Sequence, residues 1–530
     1  MFIINFLSLE PKKKYEIVQP LIIGSMLAIG MFFGYLMADK EAGTKLIGFS
    51  QNSKSQNISS VQELYQLMDE KYLYSPDFNA MDEDAIQHIF SNMDPYSIYI
   101  PEKELESVNN SLEGTYKGLG IEMLNIRDTL VITGILPGSP AKKIGLRKLD
   151  RIISLDKKPL VGKKLNLQHF RKEVMKGQKR KMELGIYRKA NKKKLTFSFV
   201  PQEVETPSIS YYSKWQDSVL YIRLDQFHAK TYQEFMLVVE KNQKEEYIPA
   251  LILDVRDNPG GYLTEVTKML SEFFEESDKL LVSTVVKDGR VKEYKSTGRS
   301  FYKFGKIIVL TNKNSASGSE VLAGVVQDWD LGLVVGEKSF GKGLVQEQFP
   351  LSNGGAVRLT VANYYLPTGR SIQHSMDMNL KIFKSLKDKF NIQDTFVTLR
   401  KSRKLTVSEG VMPDFVVEDE LFENLIRLRY NGQYSFDKEI IDLIENYPGI
   451  LKLTPVIFFN NFSFSPGSIQ QLSKFLPENP SVKDKQILGL IVKFRVGQLI
   501  FGETKALDFI KDYDPVIQTA LKKIAEPKWF

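Results

Sequence analysis

The chain has 530 residues, so several domains are expected rather than one. Its hydrophobic fraction of 42% and charged fraction of 26% are those of ordinary globular protein. It contains no cysteine, which excludes disulfides, thiolate zinc sites and a cysteine nucleophile. The net charge is +8, and many of the lysines and arginines lie at 157–194. A solvated face is favoured there over a surface that binds polyanions or anionic membranes, and no nucleic-acid partner is predicted.

An apolar run at 17–38 follows Lys12, Lys13 and Lys14. Its length of about 20 residues matches a bilayer-spanning helix. The positive charge before it places residues 1–16 in the cytoplasm. Because the run is long and no clear small-residue cleavage site follows, an uncleaved anchor is favoured over a cleaved signal peptide. The sequence therefore predicts a single-pass protein of the inner (cytoplasmic) membrane with an extracytoplasmic, periplasmic remainder.

The next part of the chain is a polar linker, 39–60, followed by a helical N-terminal segment, 61–111. Two amphipathic patterns, VQELYQLMDEKYL and EDAIQHIFSNM, indicate helices in this segment. They are followed by MDPYSIYI at 93–100, which reads as a turn and an extended piece.

Residues 112–203 have the pattern of a small β-rich domain. A glycine-rich loop precedes the first strand, and DTLVITGIL, DRIISLDKKPL, MELGIYR and KLTFSFV follow as strands around the helical pattern LQHFRKEVMKG. This order resembles a PDZ domain, which adds a peptide strand to a sheet edge and binds its terminal carboxylate in backbone amides. The resemblance makes Gly118, Leu119, Gly120 and Ile121 the candidate tail-binding loop.

Strands and helices alternate along 204–417, which predicts an α/β layered domain with a largely parallel sheet. The predicted strands include VLYIRL, PALILDV, KLLVSTVV, KIIVLTN and LGLVVGE. A polar, lysine-rich insertion interrupts the pattern at 375–408. The remaining residues, 418–530, are mostly helical in pattern and have no function that can be derived from sequence.

The candidate chemistry lies within 306–346. The cluster SASGSE at 315–320 stands between a strand and a helix, where a hydroxyl lies beside unpaired backbone N–H groups. Further along, Lys342 lies between two glycines in SFGKG. None of the four histidines lies near a serine-rich turn, and no G-x-S-x-G elbow exists. We therefore predict Ser317 as nucleophile and Lys342 as general base.

A lysine with its ordinary pKa near 10 is protonated at neutral pH, so a lysine base needs an apolar, water-poor site that lowers this pKa. Gly343, Leu344 and Val345 follow Lys342 and are consistent with such a site. Gln346 could orient the lysine amine. Asp328, on the helix after Ser317, is a further candidate for a structural or orienting role.

This stretch also has features of a P-loop, of an S-x-x-K motif and of an ordinary helix N-cap. GEKSFGK at 336–342 fits a P-loop, but glycine replaces the magnesium-binding hydroxyl and a strand follows. Ser339 and Lys342 form an S-x-x-K motif, but the glycines disfavour a helix and no S-D-N or K-T-G partner exists. The serine cluster is also an ordinary helix N-cap with Glu320 in a capping box, which is compatible with catalysis. No metal-ligand spacing is present, and no metal or cofactor is expected.

The segments taken together resemble the carboxyl-terminal processing (tail-specific) proteases, the S41 family of serine peptidases, over roughly 60–417. The segments that carry the resemblance are MDPYSIYI, GLGI, YIRLDQFHAKTYQEF, LILDVRDNPGGYL, NSASGSE, GEKSFGKGLVQ, VRLTVANYYLPTGRSIQ and GVMPDFVV. The resemblance implies an α/β multidomain protein with an α/β layered (crotonase/Clp-like) core and an inserted PDZ domain. The mostly helical C-terminal domain at 418–530 lies outside it and is predicted from the sequence pattern.

The resemblance also assigns roles to residues. Ser317 matches the nucleophile, Lys342 the general base, and Gln346 the glutamine that orients the lysine in one branch. Asp328 matches a position where some members place an assisting aspartate.

The turn at 258–261 matches the oxyanion hole. Its donors would be the Gly318 amide and the amide of either Gly260 or Gly261, and which of these last two glycines donates stays open. Tyr96 stands where histidine is usual, and the insertion at 375–408 lies near the expected substrate groove.

The sequence thus predicts a membrane-anchored serine endopeptidase that cleaves proteins near their C-terminal tails. Its partners would be proteins or peptides with free C-termini and the membrane, and the oligomeric state, including a homo-oligomer, stays open. The alternative is a catalytically silent PDZ scaffold that binds the tails of envelope proteins.

Overall fold

The computed structural model describes residues 60–160, 162, 167–177, 179–216, 218–242, 247–373, 396–406, 409–418 and 436–529. Contacts divide the chain into two units, Met1–Asn79 and Ala80–Phe530. The predicted anchor at 17–38 and nearly all of the linker lie outside the described residues. Among the residues that are described, no helix combines the length and the apolar character needed to cross a membrane.

The two predicted N-terminal helices are present as α1 (Ser60–Lys71) and α2 (Phe78–Ser91). Within the first unit, the Tyr65 and Phe78 rings lie 5.6 Å apart between their centroids. No residue of α1 is buried.

The second unit begins with a β-rich domain whose predicted strands and helix are all found. Its elements, after β1 (Ile98–Ile100) and α3 (Glu102–Glu113), are β2 (Thr115–Gly118), β3 (Ile121–Ile126), β4 (Thr129–Ile135), α4 (Pro140–Lys143), β5 (Arg151–Leu155), β6 (Lys158–Pro159), α5 (Leu167–Lys176), β7 (Met182–Arg188), β8 (Lys193–Phe199) and β9 (Gln202–Glu205). The main sheet has the antiparallel order β3-β4-β5-β7-β8, β6 pairs with β5, and β2 pairs with β9. Leu130, Ile132 and Phe170 belong to its buried core.

A six-stranded sheet forms the centre of the protein. Its strands, in the order in which they pair, are β10 (Ile209–Trp215), β11 (Val219–Leu224), β12 (Tyr247–Asp254), β15 (Lys303–Thr311), β16 (Gly332–Gly336) and β21 (Phe415–Val416). All pairs are parallel except β10 with β11, so the prediction of a largely parallel sheet is confirmed. Strands buried on both faces read as nearly continuous apolar runs, which is why this sheet was recognisable in the sequence.

Helices cover both faces of the six-stranded sheet. On β15, Ile307 and Val309 pack on the side of α6 (Thr231–Asn242), α7 (Leu263–Ser271) and α8 (Gly318–Asp328). The alternate residues, Ile308 and Leu310, pack with the helices of 436–529 on the other side, because successive side chains of a strand point to opposite faces. The core is therefore a three-layer arrangement whose third layer comes from the region that sequence left without a role.

The helices of the third layer are α9 (Phe436–Asn446), α10 (Pro455–Asn460), α11 (Pro466–Gln470), α12 (Val482–Phe501), α13 (Glu503–Ile510) and α14 (Pro515–Ala525). Asp514 caps α14, and its carboxylate pairs with the fully buried Arg256 at 2.8 Å between Nη1 and Oδ2. Arg151 of the β-rich domain also pairs with Glu445 of α9, at 2.7 Å. The third layer thus contacts both the sheet and the β-rich domain.

A second, antiparallel sheet contains β13 (Ser277–Val286), β14 (Val291–Thr297), β17 (Leu344–Pro350) and β18 (Ala356–Tyr365), with β1 at one edge. Grouping the strand KLLVSTVV with the parallel sheet was wrong, because β13 pairs with β14 and β18 instead. The physical reason is the Asp288-Gly289 turn, where Gly289 has a φ of +84° and reverses the chain into a hairpin.

The predicted insertion at 375–408 is only partly described, since 374–395 and 407–408 lie outside the described residues. The described part forms a short hairpin of β19 (Phe396–Val397) and β20 (Lys404–Leu405). Its Leu399 N–H donates to the Asp328 carbonyl at 2.7 Å, which ties the hairpin to the end of α8.

Candidate active site

The serine cluster forms the turn between β15 and α8. Ser315 donates its hydroxyl proton to the Val255 carbonyl at 2.7 Å, and Ser319 donates to the Asn258 carbonyl at 3.0 Å. Ser317 lies between them as the N-cap of α8, with a φ of +56°. A non-glycine residue in this region is strained, and such strain is concentrated at functional sites. The flanking serines thus hold the backbone of the turn, and Ser317 lies at the start of α8 in a strained conformation.

The Ser317 hydroxyl has a partner that sequence reasoning missed. Tyr364, on β18, donates from its phenolic oxygen to Ser317 Oγ at 2.9 Å. Burial raises the pKa of Tyr364, so its hydroxyl stays protonated and remains a donor across the working range of a lysine base. The segment AVRLTVANYYLP has the pattern of a strand, but that pattern does not say which residue of the facing turn Tyr364 meets.

Glu320 joins the serine turn to the lysine loop. It forms a capping box with Ser317, whose N–H donates to Oε2 at 2.9 Å. The N–H of Lys342 donates to the same oxygen at 2.8 Å. Oε1 accepts from the Gly341 N–H at 2.7 Å and from the Ser339 hydroxyl at 2.5 Å. One fully buried carboxylate therefore fixes the backbones of the two predicted catalytic residues beside each other.

The Lys342 side chain is half-buried, and its Nζ lies 4.9 Å from the centre of the Tyr96 ring. Burial lowers the pKa of Lys342, and the positive charge of Arg358 lowers it further, while Glu320 and Asp94 act in the opposite direction. Within the described part of the chain, Nζ makes no hydrogen bond and no carboxylate ion pair. The environment thus favours the neutral amine that a general base requires.

The side chains of the predicted dyad are not hydrogen-bonded to each other among the described residues: Ser317 Oγ meets Tyr364, and Lys342 Nζ meets Tyr96. The predicted orienting residue, Gln346 on β17, donates to Thr360 Oγ1 at 3.4 Å. The structure therefore brings the backbones of Ser317 and Lys342 together but leaves Gln346 bound to the neighbouring strand.

The glycine turn lies against Ser317 as expected. A methyl group on Gly260 would come within 2.8 Å of both Ser317 Cβ and the Gly318 nitrogen, so only glycine fits. The Gly260 N–H already donates to the Asn258 side-chain oxygen at 2.8 Å. In contrast, the amides of Gly261 and Gly318 meet no acceptor among the residues with described positions. Of the three expected oxyanion donors, Gly260 is thus the one whose N–H is occupied.

Comparisons with known proteins identify the family of this chain. The model of Peptidase family S41 matches residues 218–381, which include the serine turn and the lysine loop. The carboxy-terminal processing protease CtpB of Bacillus subtilis (strain 168) is 31% identical over 366 residues, covering 67% of this chain and 75% of that protein. The chain belongs to peptidase family S41. It is a serine peptidase.

Other proteins are also similar to this S41 peptidase. The probable CtpA-like serine protease of Staphylococcus aureus (strain COL) is 26% identical over 450 residues, covering 80% of this chain and 87% of that protein. Among solved structures, the photosystem II D1 C-terminal processing protease matches 68% of this chain and 88% of its own length, at 24% identity and a TM-score of 0.35.

Asp328 of the S41 peptidase lies at the other end of α8, about 15 Å from Ser317 by the rise of a helix. Its carboxylate accepts from the N–H and the hydroxyl of Thr368, at 3.0 and 2.8 Å, and pairs with Arg370 at 2.8 Å. All of these are contacts with the turn after β18. The structure does not bring Asp328 together with Ser317 and Lys342.

The predicted tail-binding loop of the S41 peptidase joins β2 to β3. Its carbonyls bond within the domain, Leu119 accepting from Ala141 at 2.9 Å and Gly120 from Leu136 at 3.0 Å. The amides of Gly120 and Ile121 face the Tyr116 hydroxyl. Burial raises the pKa of Tyr116, and hydrogen bonds from these amides act in the opposite direction. The Tyr116 hydroxyl therefore lies near the amides that would bind a carboxylate.

Proposed function

We propose that this S41 peptidase is a membrane-anchored endopeptidase that cleaves proteins near their C-terminal tails with a Ser317–Lys342 dyad. The observation that carries the proposal is the Glu320 carboxylate, which binds the amides of both residues and holds their backbones side by side. The lowered pKa of Lys342, caused chiefly by burial, supports its role as base.

The reaction begins when the neutral Lys342 amine takes the proton of Ser317 Oγ, and Oγ bonds to the substrate carbonyl carbon. Lys342 has a flexible four-carbon stem, so Nζ would turn towards Ser317 while it stays within the roughly 6 Å reach of the Tyr96 ring. The free amides of Gly261 and Gly318 would bind the oxyanion. The Lys342 ammonium would then protonate the leaving nitrogen, and water would hydrolyse the acyl-enzyme with Lys342 acting again as base.

Tail recognition is assigned to the β-rich domain at 112–203 as a PDZ domain. A substrate carboxylate would bind the amides of Gly120 and Ile121 in preference to the Tyr116 hydroxyl near them, since a charged acceptor makes stronger hydrogen bonds than a phenol. The apolar run at 17–38 would anchor the protein, with the catalytic part outside the cytoplasm.

The test uses the purified full-length chain in detergent and an unfolded substrate with a free, apolar C-terminus. Ser317→Ala and Lys342→Ala should each abolish cleavage while circular dichroism stays unchanged. Lys338→Ala alters an exposed residue of the lysine loop, and Ser352→Ala an exposed residue of the turn between β17 and β18; both should leave activity intact. Full activity of either dyad variant would overturn the assignment.

A further inference from the structure

We propose that Tyr96 is a positioning residue for Lys342, and that its ring receives the ammonium that forms when Lys342 takes the serine proton. The inference rests on the proposed dyad. It gives a role to Tyr96 of the MDPYS turn, for which the sequence predicts none. The contact that carries it is the 4.9 Å distance between Lys342 Nζ and the centre of the Tyr96 ring.

The turn that carries Tyr96 is fixed by its own side chains. Asp94 Oδ1 accepts from the N–H groups of Tyr96 and Ser97, at 3.1 and 3.0 Å. Its other oxygen accepts from the Ser97 hydroxyl at 2.6 Å. Aspartate commonly closes turns in this way by binding backbone two and three residues further on. The Tyr96 backbone therefore has a defined conformation.

The same turn is attached to β18. Thr360 donates from its hydroxyl to Asp94 Oδ1 at 2.9 Å, and its N–H donates to Ser97 Oγ at 3.0 Å. Immediately after the turn, β1 pairs with β18, with Ile98 opposite Arg358. Because β18 also carries Tyr364, one strand positions the partner of Ser317 and the turn that supplies the partner of Lys342. The hydrogen bonds of this turn and the pairing of β1 with β18 therefore fix the position from which the ring reaches Lys342.

Charged groups on other elements also face Lys342. Arg358 faces it from β18, Glu320 from α8 and Asp94 from the turn. Neither carboxylate forms an ion pair with Nζ within the described residues. An aromatic face attracts a cation through its quadrupole without neutralising it, so the ring stabilises the ammonium while the site stays free of a permanent counter-ion.

The step that benefits is the first proton transfer. The proton leaves Ser317 Oγ for the lone pair of the neutral Lys342 nitrogen, Oγ bonds to the carbonyl carbon, and the carbonyl electron pair moves onto oxygen. Positive charge appears on Nζ during this step. A ring that attracts this charge lowers the barrier, and its effect is expected to be about three- to ten-fold in rate.

The experiment compares Tyr96→Leu, which removes the ring, with Tyr96→Phe, which keeps it, in the full-length protein. We expect Tyr96→Leu to lower the maximal rate about three- to ten-fold. Because the ring stabilises the ammonium, its loss should also move the alkaline rise of kcat/KM to lower pH by roughly 0.5 to 1 pH unit. Tyr96→Phe should keep both the rate and the profile, and so should Tyr99→Leu, a tyrosine of the same motif that bonds Asn353.

A purely structural role of Tyr96 would lower the rate at every pH without moving the profile, and that result would overturn the inference. An equal loss in Tyr96→Phe and Tyr96→Leu would assign the effect to the hydroxyl and would also overturn it. Should Tyr96→Leu not fold, Tyr96→Trp supplies a stronger ring, and the profile should move to higher pH; an unmoved profile would contradict the proposal. Activity of Lys342→Ala would instead refute the dyad itself.

Discussion

The two ends of α8 carry buried carboxylates in different settings. Glu320, in the first turn, accepts hydrogen bonds from the amides of Ser317, Gly341 and Lys342. Asp328, in the last turn, pairs with the Arg370 guanidinium. Burial raises the pKa of both carboxyl groups.

The difference lies in the partners. A carboxylate paired with arginine is neutralised locally, and its task is to hold the turn after β18 in place. A carboxylate bound by neutral amides keeps its negative charge. That charge raises the pKa of Lys342, although burial lowers this pKa by more. The same helix thus supports chemistry at one end and the fold at the other, and substitutions at the two ends should have different signatures.

The largest effect is expected for Glu320→Gln. An amide cannot accept from donors at both of its ends, so N–H groups of the serine turn or the lysine loop would lose their acceptor and the two residues would separate. We expect kcat/KM to fall at least about 100-fold. Glu347→Gln, an exposed carboxylate on β17, serves as control. Wild-type activity of Glu320→Gln would show that the hydrogen bonds of Glu320 do not support catalysis.

Asp328→Ala should act mainly on stability. It leaves Arg370 buried without its counter-ion, and we expect a loss of about 3–5 kcal/mol in the free energy of unfolding, measured with urea. Activity per folded molecule should stay within a few-fold of wild type. A large activity loss with unchanged stability would instead support the assisting role that the family resemblance implied.

Tyr364→Phe tests the hydrogen bond between Tyr364 of β18 and Ser317 at the start of α8. Removing the hydroxyl deletes the donor to Ser317 Oγ, and the rate of acylation should fall about ten-fold because a developing charge on Oγ loses a hydrogen bond. The rate of labelling by a serine-reactive probe measures this step. Tyr365→Phe, on the same strand, is the matched control. Equal labelling of all three proteins would show that the contact has no part in acylation.

The smallest effect is expected in the pH profile of Arg358→Gln. Activity should rise with pH as Lys342 loses its proton, with a midpoint below the ordinary lysine pKa of about 10.4, because burial and Arg358 lower the pKa. Removing the positive charge of Arg358 makes the ammonium less unfavourable and raises this pKa, so the rise should move to higher pH. A move to lower pH would mean that Arg358 does not act on Lys342.

Sequence identified what depends on local pattern. Ser317 at a strand-to-helix junction, Lys342 between glycines and the buried strands were all visible in this way. The partners of the two residues were not. Tyr96 reaches Lys342 with the help of pairing between β1 and β18, more than 200 residues apart, and Tyr364 meets Ser317 from a strand of the other sheet. The position of Asp328 follows from the length of α8, which separates it from Ser317 by three turns. The role of 436–529 could not be predicted, because an apolar helical face does not reveal the sheet it will cover.

The third layer has a consequence for biosynthesis. The serine turn follows β15, which ends at Thr311, but one face of its sheet packs against the helices of 436–529, and Arg256 pairs with Asp514 of that region. On the ribosome, the sheet would remain half-covered until the last of these helices has been translated. The layer that carries the serine turn would therefore reach its full stability late, after α14 has been made.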